Sequence, residues 1–466
     1  MRRSGPADPR PARPPGSTPR ASARAVALEI LRRVETDRAY PDLLLDRLPG
    51  RAGLEVRDRA LATELVYGAL RWQRLLDWHL ARVSHRPLAE LTSWVRALLR
   101  LSAYQLAFLD RIPPWAVVDE AVELAKGRRS PGAAAFVNGV LRALAPRPRP
   151  WPEPTPTPLE DPIEALALRT SHPTWLVRRW VARYGAAEAE ALARALNARP
   201  PLTLRVNPLR ATSDAVAGAL RAQGASPVPS RYAPEGLVVT DAGDPRALEP
   251  LRAGWCAVQD EAAMLVGHVV DPQPGETVAD VCAAPGTKTT HLAQLMANRG
   301  RILATDRHPG RVARLRAACL LMGATIVEPH ERGVEALARE VGAVCDRVLV
   351  DAPCSNLGVL RRNPDGKWRR QEGDLAGLAA VQGAILDAAA TLVRPGGVLV
   401  YATCSLEPEE NEAVVAAFRA RCPAFAPDPI PEAVPAACRA APEMLRMVPH
   451  RHGSDGFTAL RLRRQA

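Results

Sequence analysis

Five segments between residues 22 and 145 repeat apolar residues every three to four positions, with polar residues between them. That spacing places the apolar side chains on one face of an α-helix. The segments are SARAVALEILRRVE, RDRALATELVYGALRWQRLLDWHLARV, SWVRALLRLSAYQLAFL, VVDEAVELAKG and GAAAFVNGVLRALA. Helices with one apolar face bury it against each other, so this part of the chain is predicted to be an all-α bundle.

The pattern changes from about residue 255 onward, where short apolar runs typical of buried strands alternate with helical segments. The five predicted strands lie in TVADVCA, RILATD, ATIVEP, RVLVDAP and GVLVYAT. This alternation predicts a parallel, doubly wound sheet, which is a Rossmann-like α/β fold. Between the two patterns, two helical segments precede a strand, a helix and a strand, which predicts a small α+β module.

Two proline-rich stretches mark predicted boundaries. The first, MRRSGPADPRPARPPGSTPR, lacks helical periodicity and is expected to be a disordered basic tail. The second, PRPRPWPEPTPTPLEDP at residues 146–162, holds eight prolines, too many for a helix or an inner strand. The predicted organisation is a tail at 1–20, a helical domain at 21–146, a linker at 147–165, an α+β module at 166–250 and a catalytic α/β domain at 251–466.

The composition favours a polyanionic partner. The chain has 62 basic and 50 acidic residues, a formal charge of +12, and phosphate contacts supply most nucleic-acid affinity. No apolar run approaches the ~18 residues of a membrane span, and the amino terminus lacks the hydrophobic segment of a signal peptide. We therefore expect a cytoplasmic protein with no membrane partner.

The eight cysteines form no CxxC pair and no metal-ligand spacing, so free thiols and no metal site are expected. Cys354 follows the fourth predicted strand, three residues after Asp351, and Cys404 directly follows the fifth. These strands are neighbours in the usual order, so both thiols are predicted to open onto one crevice. A single cysteine is usually a small buried hydrophobe. That interpretation is kept for Cys282, Cys319, Cys345, Cys422 and Cys438.

The stretch DVCAAPGTKTTHL, residues 280–292, follows the first predicted strand with small residues, a glycine and the start of a helix. Such a loop brings the backbone close to a nucleotide-like ligand, while the absence of G-x-G-x-x-G argues against a dinucleotide. Asp306 ends the second predicted strand, twenty residues beyond Gly286, where an acidic side chain can bind both ribose hydroxyls. The alternative is a structural turn followed by a helix cap.

Three stretches resemble the motifs of the bacterial RNA cytosine-C5 methyltransferases: DVCAAPGTKTTHL, VLVDAPCSNLGVLRRNPDGKWRR and YATCSLEPEENE. RDRALATELVYGALRWQRLLD and FVNGVLRAL look like a NusB-like RNA-binding domain, so residues 22 to 465 resemble the ribosomal RNA small-subunit methyltransferase B family. The resemblance implies S-adenosylmethionine as cofactor, RNA as partner, and methylation of 16S rRNA at the position usually numbered cytosine 967. We expect a monomer.

The resemblance also implies roles for individual residues. Cys404 would be the nucleophile that adds to C6 of cytosine, which makes C5 able to take a methyl group. Asp351 would hold N3 of the base, and Cys354 would assist loss of H5 and product release. Lys288 would support the electrostatics of the base pocket, its alternative being a helix-start lysine that faces solvent. The implied cofactor-binding residues are Cys282, Ala283, Ala284, Pro285, Gly286, Thr287, Lys288, Asp306 and Asp351.

A nucleophilic thiol needs a lowered pKa. A position just ahead of a helix amino terminus can lower the pKa of a thiol, and Cys404 precedes the helical segment that contains EENEAVV. We expect this helix to lower the pKa of Cys404, although the nearby glutamates oppose the effect.

Two positions depart from the family's pattern. The family has a further aspartate near the third strand, at the adenine, whereas EPHERGVEAL offers Glu328, Glu331 or Glu335. Thr287 stands where the family usually has glycine, and a β-branched residue limits the loop to negative φ. Cofactor binding is expected to survive both changes.

RRNPDGKWRR, residues 361–370, places five basic groups and Trp368 in a loop after the Cys354 strand. Basic groups can clamp phosphates beside a flipped base, and the indole can stack on one. The alternative is a solvated basic loop with a partly buried tryptophan.

Other functions stay open at this point. A DNA cytosine-C5 methyltransferase would use the Pro-Cys cysteine as nucleophile and usually follows it with an acidic motif, whereas PCSNLG stands here. A NusB-like RNA-binding protein without turnover would have lost a cysteine or the cofactor loop, and both are intact. A cysteine hydrolase would need a histidine near either thiol, and none of the nine lies beside one in sequence. Among RNA enzymes, tRNA or another RNA is the alternative substrate.

Overall fold

The computed structural model describes residues 22–127, 131–149, 151–154 and 161–466. The predicted tail at 1–20 and part of the predicted linker, residues 150 and 155–160, lie outside the described residues. The chain divides into two compact units, one ending at Pro152 and the other beginning at Glu153.

The first unit is all-α, as predicted. Aliphatic side chains from its helices form one core, in which Ile30, Leu65, Leu98 and Leu141 are fully buried. The helices are α1 (Ala23–Thr36), α2 (Pro41–Arg51), α3 (Val56–Arg71), α4 (Gln73–Ala81), α5 (Ser93–Phe108), α6 (Pro114–Lys126) and α7 (Ala133–Leu144).

Three details of this unit differ from the prediction. The segment at 57–83, predicted as one helix, is two helices, because Trp72 leaves the helical region (φ −103°, ψ 14°) between α3 and α4. Helix α2 was not predicted, since its three consecutive leucines and internal Pro49 give no helical period. Trp151, within the predicted linker, is buried in this unit with its ring 4.9 Å from that of His79.

Three helices open the second unit: α8 (Pro162–Arg169), α9 (Thr174–Tyr184) and α10 (Ala186–Asn197). Helix α8 begins inside the predicted linker, where the Asp161 carboxylate accepts the N–H of Ile163. The helices share a core with Leu357, Leu375 and Leu406, which belong to the catalytic domain. The predicted module at 166–250 is therefore two structural parts, because the catalytic domain covers the apolar faces of α9 and α10.

A four-stranded antiparallel sheet forms the second part, in the order β2-β3-β1-β4. Its elements are β1 (Leu202–Val206), α11 (Ser213–Ala222), β2 (Ser226–Pro229), β3 (Gly236–Thr240), α12 (Glu249–Arg252) and β4 (Cys256–Val258). Strand β2 holds two prolines and lies at an edge, where a strand tolerates residues without an N–H. Strand β4 lies beyond the predicted boundary at 250, since it pairs with β1.

The catalytic domain is built on a nine-stranded sheet. Its strands are β5 (Thr277–Asp280), β6 (Arg301–Asp306), β7 (Val327–Glu331), β8 (Cys345–Asp351), β9 (Val393–Thr403), β10 (Phe425–Pro427), β11 (Arg439–Ala441), β12 (Met444–Met447) and β13 (Phe457–Arg464). The parallel run β9-β8-β5-β6-β7 confirms the predicted doubly wound fold. Antiparallel β13, β12 and β11 extend it beyond β9, and β10 pairs with β13, so the sheet is mixed.

Helices cover both faces of this sheet. They are α13 (Glu261–Val270), α14 (Thr287–Leu295), α15 (Pro309–Met322), α16 (Val334–Val341), α17 (Gly366–Arg369), α18 (Asp374–Ala390), α19 (Glu412–Arg421) and α20 (Pro449–His452). In the part of the chain that the structure describes, none of the helices is long and apolar enough to cross a membrane.

The chain order along the sheet reverses at β5, which has β8 on one side and β6 on the other. Ligands of open α/β sheets bind at such a reversal, outside the carboxyl ends of the strands. Four parallel strands end there in Asp280, Asp306, Asp351 and Thr403. These four strand ends position the candidate site.

Candidate active site

The structure brings the two predicted thiols into contact. The Sγ atoms of Cys354 and Cys404 lie 3.2 Å apart. The amide oxygen of Asn356 accepts from both, at 2.9 Å from Cys404 and 3.4 Å from Cys354. Asn356 holds this position with a left-handed backbone (φ +62°), a conformation that asparagine tolerates better than most residues. Sequence reasoning missed Asn356, which the motif places two residues after Cys354.

The pKa of Cys404 is raised well above its usual value, which contradicts the expected lowering. The first cause is the Cys354 thiol in contact with it, and burial and the charge of Asp351 add to the effect, while the charge of Lys288 opposes it. Helix α19 begins only at Glu412, after a 3₁₀ turn, so no helix amino terminus adjoins the thiol. Two negative charges on sulfurs in contact would repel each other, so the neighbouring Cys354 sulfur disfavours the thiolate form of Cys404.

Lys288 and Asp351 form an ion pair beside the thiols. Lys288 Nζ donates to the Asp351 carboxylate at 2.7 Å and lies 4.8 Å from the centre of the Phe457 ring. The lysine side chain is 14% exposed, so it does not face solvent as the alternative interpretation required. Burial lowers the pKa of Lys288, but the charge and hydrogen bond of Asp351 outweigh it and raise the pKa above its usual value. The ammonium is a cation whose charge favours a thiolate at Cys404.

The predicted cofactor loop, residues 282–288, joins β5 to α14. Gly286 has φ +107°, and a Cβ there would lie 2.8 Å from Leu315 Cδ1, so the position requires glycine. Arg311 donates to the carbonyl of Ala284 at 2.7 Å. Thr287 begins α14 with a helical backbone, so its β-branch is accommodated. Contacts with Arg311 and Leu315 of α15 therefore hold the loop in place.

Carboxylates surround this loop. Asp280 Oδ2 accepts from Thr289 at 2.8 Å, but buried Oδ1 has no aligned hydrogen-bond partner among the described residues. Burial raises the pKa of Asp280 to about 7, and the charge of Asp351 adds to this shift. Asp306 is 6% exposed, accepts the N–H of His308 at 2.9 Å and lies 3.5 Å from Arg311 Nε. This concentration of negative charge suits a cationic ligand.

Three of the other cysteines, Cys319, Cys345 and Cys438, are buried as the sequence interpretation described, whereas Cys282 and Cys422 are partly exposed. Burial raises the pKa of Cys282 to about 12, with the charges of Asp280 and Asp351 adding to it. Burial also raises the pKa of Cys345 to about 12 and that of Cys319 to about 11. These thiols are protonated at neutral pH.

The basic loop at 361–370 uses its charges internally, in contrast to the predicted phosphate clamp. Arg361 and Arg362 pair with the buried carboxylates of Asp260 and Asp455, at 2.5–3.1 Å. Lys367 is buried and donates to Asn197 at 3.0 Å. The remaining arginines of the loop are only partly exposed. The loop's arginines are paired because two acidic residues that lie far away in the sequence are close to it in the fold: Asp260 just before α13 and Asp455 in the loop before β13.

The glutamates after Cys404 also form specific contacts. Glu407 and Glu409 pair with Arg179 of α9, at 2.7 and 2.6 Å. Glu410 is fully buried and contacts both cysteine loops. Sequence analysis did not single out Glu410; the serine that follows each of the two cysteines is the signal that could have found it.

One group of described residues has the side chains of a metal site. His268 Nε2 and His291 Nε2 lie 3.1 and 2.7 Å from the carboxylate of Glu235. The buried guanidinium of Arg205 lies near enough to interact with this carboxylate, and it helps burial to lower the pKa of His291 to about 4. Because Arg205 already offsets the charge of Glu235, a dication would add uncompensated positive charge. We interpret the group as a polar contact between the small sheet and helices α13 and α14.

The three candidates for the adenine contact differ in position. Glu328 is paired with Arg301 at 2.7 Å. Glu331 is exposed at the carboxyl end of β7, opposite Asp306 in the strand register. Glu335 lies in the first turn of α16.

Comparison with known proteins decides the family. The model of 16S rRNA methyltransferase RsmB/F matches residues 267–463, that of the NusB family residues 21–146, and that of the RsmF/B-like ferredoxin-like domain residues 172–245. A probable ribosomal RNA small subunit methyltransferase B of Bacillus subtilis is 38% identical over 96% of this chain and 99% of its own length. The chain belongs to the ribosomal RNA small subunit methyltransferase B family.

Relatives within and around the methyltransferase B family support this assignment. The ribosomal RNA small subunit methyltransferase B of Pseudomonas putida is 36% identical over 86% of this chain and 89% of its own. The crystal structure of PH0851 matches with a TM-score of 0.81 and 30% identity, covering 96% of this chain and 99% of that one. A methyltransferase homolog from Pyrococcus horikoshii has a TM-score of 0.58 and 27% identity, covering 66% and 100%. The resemblance inferred from the motifs is confirmed.

Proposed function

We propose that this chain is an S-adenosylmethionine-dependent RNA cytosine-C5 methyltransferase that modifies 16S rRNA, at the base usually numbered cytosine 967. The single observation that supports it most is the pair of thiols 3.2 Å apart beside the Lys288–Asp351 ion pair, in a chain of the methyltransferase B family. Cytosine C5 is a poor nucleophile, so its methylation needs a thiol and groups that steady the base.

The residues around β5 and β6 fit the proposed cofactor. When bound, S-adenosylmethionine supplies an electrophilic methyl group. The loop at 282–288 would hold its amino-acid end, and Asp306, with free acceptor capacity on its carboxylate, would accept from the ribose hydroxyls. The unpartnered Oδ1 of Asp280 suits a cationic ligand. Glu331 is the best-placed candidate for the adenine, because it is exposed and opposite Asp306.

On the thiol side, Cys404 would release its proton to solvent and add as a thiolate to C6 of the base. The electron pair of the C5–C6 bond then moves toward N3 and C5, and Asp351 at N3 would stabilise that charge through a shared proton. Lys288 would stabilise the thiolate, which the neighbouring Cys354 otherwise disfavours. After C5 has taken the methyl group, Cys354 would accept H5, the C5–C6 double bond would re-form and the bond to Cys404 would break.

The helical first unit would bind RNA, as its match to the NusB family suggests. In the second unit, the small sheet, which matches the ferredoxin-like domain model, would take part in RNA binding. The chain would act as a monomer, since one chain supplies every group named above. It would act in the cytoplasm.

Bisulfite sequencing of RNA from cells that lack this protein tests the proposal. A single 16S rRNA cytosine should lose its protection and regain it with the wild-type gene but not with Cys404→Ala. If the lost protection lies in tRNA, the chemistry stands and the substrate is wrong. If no cytosine in any RNA changes, the proposed function is wrong.

A further inference from the structure

Glu410 is a buried carboxylate with four hydrogen-bond donors around it. Its Oε1 accepts the backbone N–H of Ser355 at 2.7 Å and the side-chain amide of Gln382 at 3.0 Å. Its Oε2 accepts the hydroxyls of Ser355 and Ser405, each at 2.5 Å. Three of the four donors therefore belong to two serines that lie fifty residues apart in the sequence.

Each of these serines directly follows one of the two thiols, Cys354 or Cys404. The pairing of β8 with β9 ends just before them, at Asp351 opposite Ala402. Beyond that pair the strand ladder no longer sets the distance between the two backbones. One backbone contact, from the Gly358 N–H to the Cys404 carbonyl at 2.9 Å, and several side-chain contacts set it, and Glu410 is a buried carboxylate that reaches both sides.

A buried carboxylate is costly unless its lone pairs all accept hydrogen bonds. Glu410 meets that condition, and its neighbour Asn411 stiffens the same turn. Asn411 accepts the Thr403 hydroxyl at 2.6 Å and donates to the carbonyls of Ser405 and Glu407, at 3.1 and 2.8 Å. The turn after β9 therefore makes hydrogen bonds both to its own strand and to the Cys354 loop.

We propose that Glu410 is a positioning residue that fixes the separation of the Cys354 and Cys404 thiols through Ser355 and Ser405. The proposal rests on the proposed function, because the separation matters only if one thiol attacks the base and the other assists release. Glu410 itself touches neither base nor cofactor. It acts on the geometry of the two groups that do.

The test uses the full chain with Glu410→Gln, which keeps the size of the side chain but removes its charge and one acceptor. Ser355→Ala with Ser405→Ala removes the partners instead and serves if the first variant folds poorly. Glu409→Gln is the matched control, since the adjacent carboxylate pairs with Arg179 and not with the serines. Melting temperature and cofactor affinity are measured for each, to separate positioning from folding.

Two readouts report on the thiols. The first is the rate of oxidation by diamide. This azo compound takes up two electrons and two protons while two thiols join as a disulfide. The disulfide-linked Cys354–Cys404 peptide is then quantified by mass spectrometry. The second is the single-turnover rate of methyl transfer to 16S rRNA. In Glu410→Gln and in the double serine variant, we expect about tenfold slower disulfide formation and about 10²-fold slower transfer, with cofactor affinity unchanged. The triple variant, with Glu410→Gln, Ser355→Ala and Ser405→Ala, should be little slower than Glu410→Gln alone, because all three substitutions disrupt the same group of hydrogen bonds.

The proposal is overturned if Glu410→Gln oxidises its thiol pair and transfers methyl groups at the rates of Glu409→Gln. It is also overturned if transfer slows while thiol oxidation does not, since the defect then lies elsewhere. If the wild-type protein forms the disulfide, Glu410→Gln does not, and no RNA is methylated by either, the positioning role stands and the proposed function fails.

Discussion

On the thiol side of the crevice, Cys354, Cys404 and Asn356 make their polar contacts with one another, and Lys288 is neutralised by Asp351. On the cofactor side, the carboxylate of Asp280 keeps a buried oxygen without an aligned partner. The thiol side makes its polar contacts within itself, and the cofactor side keeps a carboxylate oxygen with acceptor capacity, although Arg311 lies 3.5 Å from Asp306. The same sheet edge therefore presents the proposed nucleophile next to carboxylates that suit a cationic ligand.

The difference indicates how each side should respond to substitution. On the thiol side, groups are held by short contacts, so removing one changes the chemistry of its neighbours. On the cofactor side, groups act through charge and hydrogen-bonding capacity, so removing one should weaken binding by a limited amount. The predictions below test this contrast.

The largest effect is expected from the two thiols. Cys404→Ala should abolish both methylation and any covalent protein–RNA adduct, because no other group begins the addition. Cys354→Ala should still attack and transfer the methyl group, and then stall as an RNA-linked band on a denaturing gel. The double variant should show no band.

An adduct in Cys404→Ala and none in Cys354→Ala would reverse the two roles. Activity retained in both single variants, with no adduct, would remove the covalent mechanism. Cys438→Ala is a suitable control, since that cysteine is fully buried and its pKa is raised to about 11, mainly by burial.

Lys288→Gln should produce the next largest effect. The ammonium opposes the raised pKa of Cys404 and pairs with Asp351, so its loss leaves the thiolate and the carboxylate without a cation. The rate of adduct formation in a single turnover should fall about 10²–10³-fold. Lys126→Gln, an exposed lysine in the first unit, is the control. Equal rates for the two variants would contradict the role of Lys288.

Asp306→Ala should weaken S-adenosylmethionine binding by about 1.5–3 kcal/mol, the usual loss for a charged hydrogen-bond partner. Calorimetry measures this directly, and the thiol pair should remain as reactive toward diamide as in the wild type. Asp387→Ala, which removes an exposed carboxylate paired with Arg421, should bind normally. An unchanged affinity in Asp306→Ala would exclude the assignment.

The smallest effect is a pH dependence of cofactor binding. The pKa of Asp280 is raised to about 7, so its carboxyl is mostly neutral below that pH and charged above it. A cationic cofactor favours the charged form, so affinity should rise by less than tenfold as the pH increases by one unit through about 7. Two charged neighbours act on Asp280: the charge of Asp351 raises its pKa and the charge of Lys288 lowers it. Asp280→Asn should remove this pH dependence of cofactor affinity. If the affinity of that variant still rises with pH, another group is responsible.

The alternating strands and helices could be predicted because apolar runs such as that of β6 regularly precede helical segments such as that of α15. The neighbouring positions of their strands predicted that Cys354 and Cys404 open onto one crevice, and the structure adds that they are in contact. By contrast, β10, β11 and β12 are only three or four residues long and show no period. The boundary of the small sheet was missed because β4 pairs with a strand fifty residues earlier.

Electrostatic details were harder to predict than positions. The expected lowering of the Cys404 pKa relied on a nearby helix, and a 3₁₀ turn occupies that place instead. The basic groups at 361–370 were expected to face RNA, but Asp260 and Asp455 pair with two of them. In both cases the side chain with the largest effect lies far away in the sequence: Cys354 for the pKa of Cys404, and Asp260 and Asp455 for the arginines. Spacing within one motif could not predict these contacts.

Strand β13 is the last strand along the chain, yet it lies in the interior of the sheet, between β12 and β9. Its pairing reaches Thr403, the residue before the proposed nucleophile, and Gly456 just ahead of it donates to the carbonyl of Gly358 at 2.8 Å. During synthesis the parallel strands emerge first, and β9 keeps an open, unpaired edge until residues 457–464 arrive. The nascent chain therefore passes through a stage at which β9 has an unpaired edge that can pair with another strand and the proposed active site is incomplete, and β13 ends both conditions.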